Sequence, residues 1–135
     1  MRPMAKIRIL VAEDEPTTLK MTQRRLEYEG YEVRIAEDAE AAVVQAQARP
    51  SVHLILLDVR LPKGDGYEVC RRLKREAGTA HIPIIVITAT ESAGDALATK
   101  CLAAGADDWL AKPFQTGELM VKIHRALRRE GTGNG

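Results

Sequence analysis

Five polar residues stand at the ends of apolar segments, and their types suit phosphoryl transfer. Asp58 ends a run that begins with four aliphatic residues. The acids Glu13 and Asp14 follow a second apolar run, Thr88 follows a third, and Lys112 follows a fourth. Aspartate is a competent nucleophile toward phosphoryl groups, and transfer depends mainly on positioning and on neutralising the charge of the transferred oxygens. We therefore expect these residues to form one site.

Three of the five are carboxylates, which repel one another and raise one another's pKa at close range unless a cation joins them. Mg²⁺ prefers oxygen ligands and keeps several waters, so two or three carboxylates and a backbone carbonyl suit it. The sequence does not distinguish Mg²⁺ from Mn²⁺. In such a site Asp58 would attack in line, with one phosphoryl oxygen on the metal held by Glu13 and Asp14. Lys112 would pair with a second oxygen, and the Thr88 hydroxyl would donate to a third.

The segments that position these residues alternate between strand and helix. Apolar and β-branched runs predict strands at residues 7–11, 33–36, 54–58, 82–87 and 108–111. Capping and turn residues predict helices that begin near Pro16, after Asp38, after the loop 61–66, near Ser92 and after Phe114. Strand followed by helix, five times over, predicts a parallel sheet with helices on both faces. Ligands bind such sheets at the carboxyl ends of the strands, where the five polar residues fall.

The apolar faces of the helices predict which side chains reach the core. In the first helix Leu19, Met21 and Leu26 are the expected apolar face, and either Asp14 or Glu15 is suited to cap the helix before Pro16. In the third helix the apolar residues are Val69, Cys70 and Leu73, in the fourth Leu97, Cys101 and Ala104, and in the fifth Leu119, Ile123, Ala126 and Leu127. The two cysteines lack metal-binding spacing, which favours reduced, buried thiols.

Length and charge limit the classes of function. The 135 residues fit one domain, predicted at 7–129, with a lead-in at 1–6 and a flexible tail or linker stub at 130–135. The formal net charge of +1 argues against general electrostatic binding to nucleic acid or to an anionic membrane. No segment has the length of a signal peptide core or a membrane span. A cytoplasmic protein without direct nucleic-acid or membrane binding is therefore expected.

Four segments taken in order resemble the receiver domain of response regulators in two-component signalling. They are Ile-Leu-Val-Ala-Glu-Asp-Glu at 9–15, Leu-Leu-Asp-Val-Arg-Leu-Pro at 56–62 with Gly-Asp-Gly at 64–66, Ile-Thr-Ala at 87–89, and the stretch 105–114. The resemblance extends over residues 7–127. It implies a flavodoxin-like, doubly wound five-stranded parallel sheet with strand order 2-1-3-4-5.

The resemblance also implies a role for each residue of the site. Asp58 would be the phosphoacceptor, and the metal ligands would be Glu13, Asp14, Asp58 and the backbone carbonyl of Arg60. Lys112 would contact the phosphate and would precede a cis peptide bond to Pro113. Thr88 would be the switch hydroxyl and Trp109 the switch aromatic residue, while Arg60 and Thr90 stand where the family tunes the phosphorylation lifetime. Glu13 replaces the more usual aspartate, and Trp109 stands where tyrosine or phenylalanine is usual.

The function implied by the resemblance is a phosphorylation-dependent signalling switch that turns over no substrate beyond its donor. Its partners would be a sensor histidine kinase or phosphotransfer protein, and a downstream protein target or an effector domain outside this sequence. Output would pass through the face formed by the fourth helix, the fifth strand and the fifth helix. A homodimer that forms on phosphorylation is a further expectation.

Three other functions use similar features. An aspartyl-phosphate phosphatase also has an aspartate after a strand, but it usually carries a second aspartate two residues on, where this chain has Arg60. A flavin-binding module is disfavoured because the carboxylates would repel the cofactor phosphate. A receiver-like interaction module without phosphorylation is disfavoured because every reactive position is filled.

Overall fold

The alternating pattern expected from the sequence is present in the computed structural model, which describes residues 6–89 and 95–129, without the side chains of residues 95–98 and 129. Within these ranges there are five strands, β1 (Arg8–Ala12), β2 (Glu32–Ala36), β3 (Leu54–Asp58), β4 (Ile84–Ala89) and β5 (Asp108–Lys112). They alternate with the helices α1 (Pro16–Tyr28), α2 (Ala39–Gln47), α3 (Gly66–Arg75), α4 (Asp95–Ala104) and α5 (Thr116–Arg129). The predictions for Thr90, for Ser92 and for most of the lead-in and tail lie outside the described residues.

The strands form one parallel sheet in the order β2-β1-β3-β4-β5. This confirms the predicted fold. The central strand β3 is buried along its whole length, as its uninterrupted apolar run predicts. At its carboxyl end Asp58 pairs in register with Ile87 of β4, and Thr88 pairs with Ala111 of β5. The register therefore brings the polar residues of three adjacent strands to one edge of the sheet.

The core has two layers because successive side chains of each strand point to opposite faces. Leu57 belongs to the cluster covered by α2, α3 and α4, which also contains Cys70 and Cys101. Its neighbour Leu56 belongs to the cluster covered by α1 and α5, with Leu26 from α1. Helices on both faces were predicted, and both layers are present.

Two cysteines lie within the first of these layers. Cys70 and Cys101 are both free and buried, which confirms the prediction of reduced core thiols. Burial raises the pKa of the Cys70 thiol to about 11. In the described part of the chain no helix has the length and apolar character needed to cross a bilayer.

Carboxylates cap the first three helices. The Glu15 side chain accepts a hydrogen bond from the Thr18 amide at 2.7 Å and so caps α1, which decides between the two acids considered for this role. Asp38 caps α2 as predicted, and Asp65 caps α3. Asp14, freed from capping, is exposed at the carboxyl edge of the sheet.

One core prediction was wrong. Met21 was placed on the apolar face of α1, but it is 43% exposed, whereas Thr22 is only 2% exposed. The buried face of α1 follows Leu19, Thr22 and Leu26, which have the i, i+3, i+7 spacing of one helix face. Met21 lies off that face, and the hydrophobic character of its side chain does not change the geometry.

Both boundaries of one strand also differ. The strand predicted at 82–87 is observed as Ile84–Ala89, while the other strand ends differ from prediction by at most one residue. Ile82 is apolar and buried, but its amide donates to the Thr79 carbonyl in a turn rather than to a neighbouring strand. Apolar character alone therefore placed the start of β4 too early.

At the amino end of the sheet Lys74 joins three segments. Its ammonium lies 2.8 Å from the Ile82 carbonyl and 2.8 Å from an oxygen of Asp107. The same Asp107 oxygen accepts a hydrogen bond from the Ile84 amide at 2.8 Å, and the Asp107 amide donates to the Ile84 carbonyl at 2.9 Å. Together these bonds connect the end of α3 to the starts of β4 and β5. They lie at the amino end of the sheet, whereas the polar residues of the candidate site lie at its carboxyl end.

Candidate functional site

Asp58, Glu13 and Lys112 form the centre of the candidate site. The Lys112 ammonium lies 2.6 Å from Oδ2 of Asp58 and 2.9 Å from Oε1 of Glu13. These residues come from the ends of three different strands or the turns that follow them, and the fold alone brings them together. Three of the five residues singled out by the sequence are therefore in direct contact.

Asp58 is held by its own turn as well as by Lys112. Its Oδ1 accepts a hydrogen bond from the Arg60 amide at 2.8 Å, and the residue is only 4% exposed. Gly66, the first residue of α3, donates its amide to the Val59 carbonyl and lies against this turn. A Cβ added at Gly66 would be 2.5 Å from the Asp58 carbonyl oxygen, so only glycine fits there. The approach of α3 fixes the backbone on which the Asp58 side chain is mounted.

Burial and charge act against each other at Glu13 and Lys112. Burial raises the pKa of Glu13, and the neighbouring Asp58 charge adds to this, although hydrogen bonds from Lys112 and Glu15 oppose it. Burial alone would lower the pKa of Lys112, but its hydrogen bonds to Asp58 and Glu13 outweigh that effect and raise it. The ammonium is therefore held in its charged form between two acids that strongly favour a nearby cation.

The backbone aims Lys112 toward the acids from the last residue of β5. The peptide bond between Lys112 and Pro113 is cis, as the family resemblance implied. Lys112 itself is partly exposed, with 30% of its side chain accessible. Unlike the two acids, it can therefore be approached from solvent.

Thr88 lies one residue beyond the register partner of Asp58, and it is buried. Its side chain interacts with Tyr67 of α3, a residue that no sequence pattern singles out. Burial raises the pKa of Tyr67, the nearby Cys101 thiol adds to the rise, and a hydrogen bond with Thr88 partly offsets it. Trp109 is partly buried against the layer that α2, α3 and α4 cover. The predicted switch pair, Thr88 and Trp109, thus lies beside the group formed by Asp58, Glu13 and Lys112 rather than within it.

The candidate metal ligands meet only in part. Glu13 and Asp58 converge on Lys112, whereas Asp14 is exposed. Among the residues that the structure describes, no three His, Cys, Asp or Glu side chains form a group ready to hold a metal. The donors present are nevertheless oxygens of two nearly buried acids that favour a neighbouring cation, which is the chemistry that Mg²⁺ prefers. The donor set therefore fits a hard divalent ion.

A protein-family model matches most of the chain. The model for the response regulator receiver domain matches residues 9–124. Response regulator MprA of Mycobacterium tuberculosis is 42% identical over 125 residues, which cover 91% of this chain and 51% of that protein. The transcriptional regulator RpaA of Synechocystis, described as DNA-binding, is 38% identical over 123 residues, 90% of this chain and 49% of that protein. The chain spans about half the length of these relatives.

Solved structures agree with the sequence comparison. A CheY-like receiver domain protein from Methanospirillum hungatei superposes with a TM-score of 0.84 at 28% identity, covering 96% of this chain and 100% of that one. The receiver domain of sensor histidine kinase PA1611 from Pseudomonas aeruginosa superposes with a TM-score of 0.80 at 36% identity, covering 91% and 98% of the two chains. That structure is described as having a magnesium ion coordinated in its active site cleft.

Proposed function

The chain belongs to the response regulator receiver domain family of two-component systems, and on that premise we propose that Asp58 accepts a phosphoryl group and thereby switches the signalling state of the domain. The observation that carries this proposal is the position of the Lys112 ammonium, 2.6 Å from Asp58 and 2.9 Å from Glu13. A nearly buried carboxylate with a cation at hand has both the nucleophile and the charge compensation that phosphoryl transfer needs.

The transfer step uses Asp58 as the nucleophile. An Asp58 oxygen forms a bond to phosphorus while the bond from phosphorus to the nitrogen of a phosphohistidine donor breaks, and the donor histidine leaves. Lys112 exchanges its contact with Asp58 for one with a phosphoryl oxygen, which it stabilises by a charge-assisted hydrogen bond. The Arg60 amide keeps the second Asp58 oxygen in place during this exchange. The product is an acyl phosphate on Asp58.

The acids of the site would hold the divalent ion. We assign Mg²⁺ to Glu13, Asp14, Asp58 and the Arg60 carbonyl, and Mn²⁺ would use the same oxygen donors. Bound there, the ion supplies positive charge that offsets the charge on the transferred oxygens. The magnesium described for the PA1611 receiver domain, 36% identical, supports this assignment.

The response to phosphorylation would pass through Thr88 and Trp109 to the face formed by α4, β5 and α5. A phosphoryl group adds negative charge and acceptor oxygens at the strand ends, which attract the Thr88 hydroxyl. Movement of Thr88 would alter its interaction with Tyr67 and change the packing near Trp109. The partners would be a sensor histidine kinase or phosphotransfer protein upstream and a protein target or effector domain downstream, and a homodimer would form on phosphorylation.

Intact mass after incubation with acetyl phosphate and Mg²⁺ tests the proposal. The expected result is a gain of one phosphoryl group that hydroxylamine removes and that Asp58→Asn abolishes. Asp65→Asn is the matched control, since Asp65 is an exposed cap of α3 and asparagine also caps helices well. No gain in the natural chain, or a gain that persists in Asp58→Asn, would contradict the proposal. Sustained phosphate release from phosphomonoesters would instead support a phosphatase.

A further inference from the structure

Lys122 of α5 contacts Trp109 around the edge of the sheet. Its ammonium lies 5.9 Å from the centre of the indole ring, within the distance of about 6 Å at which a cation is attracted to an aromatic face. Trp109 packs on the layer covered by α2, α3 and α4, whereas α5 covers the opposite layer. The contact is available because β5 is an edge strand, so a long side chain from one layer can reach a ring on the other.

Asp108 fixes the position of the Lys122 ammonium. Its Oδ1 lies 3.0 Å from the Lys122 Nζ and also accepts a hydrogen bond from the Trp109 amide at 2.8 Å. The side chains of Lys122 and Asp108 are 26% and 15% exposed, so this ion pair is more sheltered than a typical surface pair. One carboxylate oxygen thus holds both the backbone of Trp109 and the cation beside its ring.

We propose that Lys122 is a positioning residue: paired with Asp108, its ammonium holds the indole ring of Trp109 in its present orientation and so sets the resting state of the switch. This inference rests on the proposed function for the role of Trp109, but the contact itself exists without phosphorylation. A ring held by one partly exposed cation is released at a modest cost, so phosphorylation at Asp58 is able to overcome it. A neutral residue at 122 would leave the ring freer at rest.

Tryptophan fluorescence measures this contact directly, because Trp109 is the single tryptophan of the chain. Quenching by acrylamide and emission anisotropy would be compared in the natural chain and in Lys122→Met, without a phosphoryl donor. The control is Arg125→Met, which removes an exposed cation from the same helix. Losing this partly exposed cation–π contact should raise the population of displaced rings about two- to five-fold, with a larger quenching constant and lower anisotropy. Arginine also binds aromatic faces, so Lys122→Arg should restore the natural values.

The outcomes separate this inference from the proposed function. Equal quenching and anisotropy in the natural chain and Lys122→Met, both folded by circular dichroism, would overturn the positioning role. Asp108→Asn, which keeps the oxygen but removes the charge, should shift both readings in the same direction by a smaller amount. Beryllofluoride with Mg²⁺, added to the natural chain, should alter Trp109 emission, and Lys122→Met should show a smaller change. Failure of the natural chain to bind beryllofluoride would count against the proposed function, while the resting measurements would still decide the role of Lys122.

Discussion

The carboxylate of Asp58 and the ammonium of Lys112 lie 2.6 Å apart, although 54 positions separate them in the chain. Lys112 also reaches Glu13, so one cation serves two nearly buried acids. Any divalent ion that uses these acids must therefore compete with Lys112 for their oxygens. We therefore expect the charge of this one lysine to affect both metal affinity and phosphoryl transfer.

Replacing Lys112 with methionine should separate these two effects. Without the ammonium, Glu13 and Asp58 lose the cation that contacts both of them, so Mg²⁺ should bind several-fold more tightly in isothermal titration calorimetry. Phosphorylation by acetyl phosphate should slow by on the order of a hundred-fold, because a charged donor to the transferred oxygens is lost. Lys20→Met, at an exposed lysine of α1, should change neither quantity. Unchanged phosphorylation in Lys112→Met would show that the lysine takes no part in transfer.

Replacing Gly66 with alanine should lower both the stability of the domain and the rate of phosphorylation at Asp58. The new methyl group would collide with the Asp58 carbonyl oxygen and with Val59 Cα, both at 2.5 Å, and backbone cannot give way as a flexible side chain can. We expect a loss of about 1–3 kcal/mol in the free energy of unfolding, measured by urea denaturation. Gly117→Ala is the control, since its methyl group would meet no atom within 4 Å. A Gly66→Ala chain as stable as the natural one would contradict the close approach of α3.

Replacing Lys74 with methionine should destabilise the domain without changing the chemistry of Asp58. The change leaves the Ile82 carbonyl and Asp107 without the ammonium that lies 2.8 Å from each. Because these groups are partly buried, the free energy of unfolding should fall by about 1–3 kcal/mol. Arg75→Met removes the next cation along α3, which is exposed, and should cost less than about 0.5 kcal/mol. A similar loss in both variants would indicate a general charge effect on α3.

His53 should make the stability of the domain depend on pH. Its Nδ1 accepts a hydrogen bond from the Arg8 amide at 2.9 Å, which requires that nitrogen to be unprotonated. Burial lowers the pKa of His53, and the Arg8 charge adds to this. The unfolded chain then takes up the proton more readily, so stability is fully present above about pH 6.5 and declines as the pH falls below that value.

Urea denaturation on either side of that pH measures this effect. Replacing His53 with glutamine should flatten the decline, because the amide oxygen can still accept a hydrogen bond and glutamine does not titrate. His81→Gln, at an exposed histidine, should leave the decline unchanged. An identical pH dependence in the natural chain and in His53→Gln would assign the effect to another group.

The sequence predicted the sheet and the centre of the site for a simple reason. Apolar runs identify strands, and the carboxyl ends of parallel strands meet at one edge, so residues such as Asp58 and Lys112 could be placed together without coordinates. The spacing in α1 favours Thr22 over Met21, since Thr22 lies three residues from Leu19 and four from Leu26. Threonine gives no apolar signal, however, so a prediction based on apolar residues selects Met21 instead.

Side-chain contacts between distant segments also could not be predicted from the sequence. Lys74 lies in a basic helix end that is typical of a solvated surface, and nothing local indicates that it reaches Asp107. Lys122 likewise sits beside the apolar stripe of α5, and its contact with Trp109 depends on the position of both at the edge of the sheet. Tyr67 carries no signal in the sequence, since its interaction with Thr88 arises through packing alone.

The polar contacts of Lys74 restrain one end of the sheet more strongly than the other. Four polar contacts brace the bases of β4 and β5, whereas at the other end Lys112 can exchange partners. Structural changes that begin at Asp58 should therefore leave the amino ends of β4 and β5 in place and displace their carboxyl ends most. A small change at Asp58 would then produce a larger displacement at the surface beside the edge strand β5, where another molecule could dock.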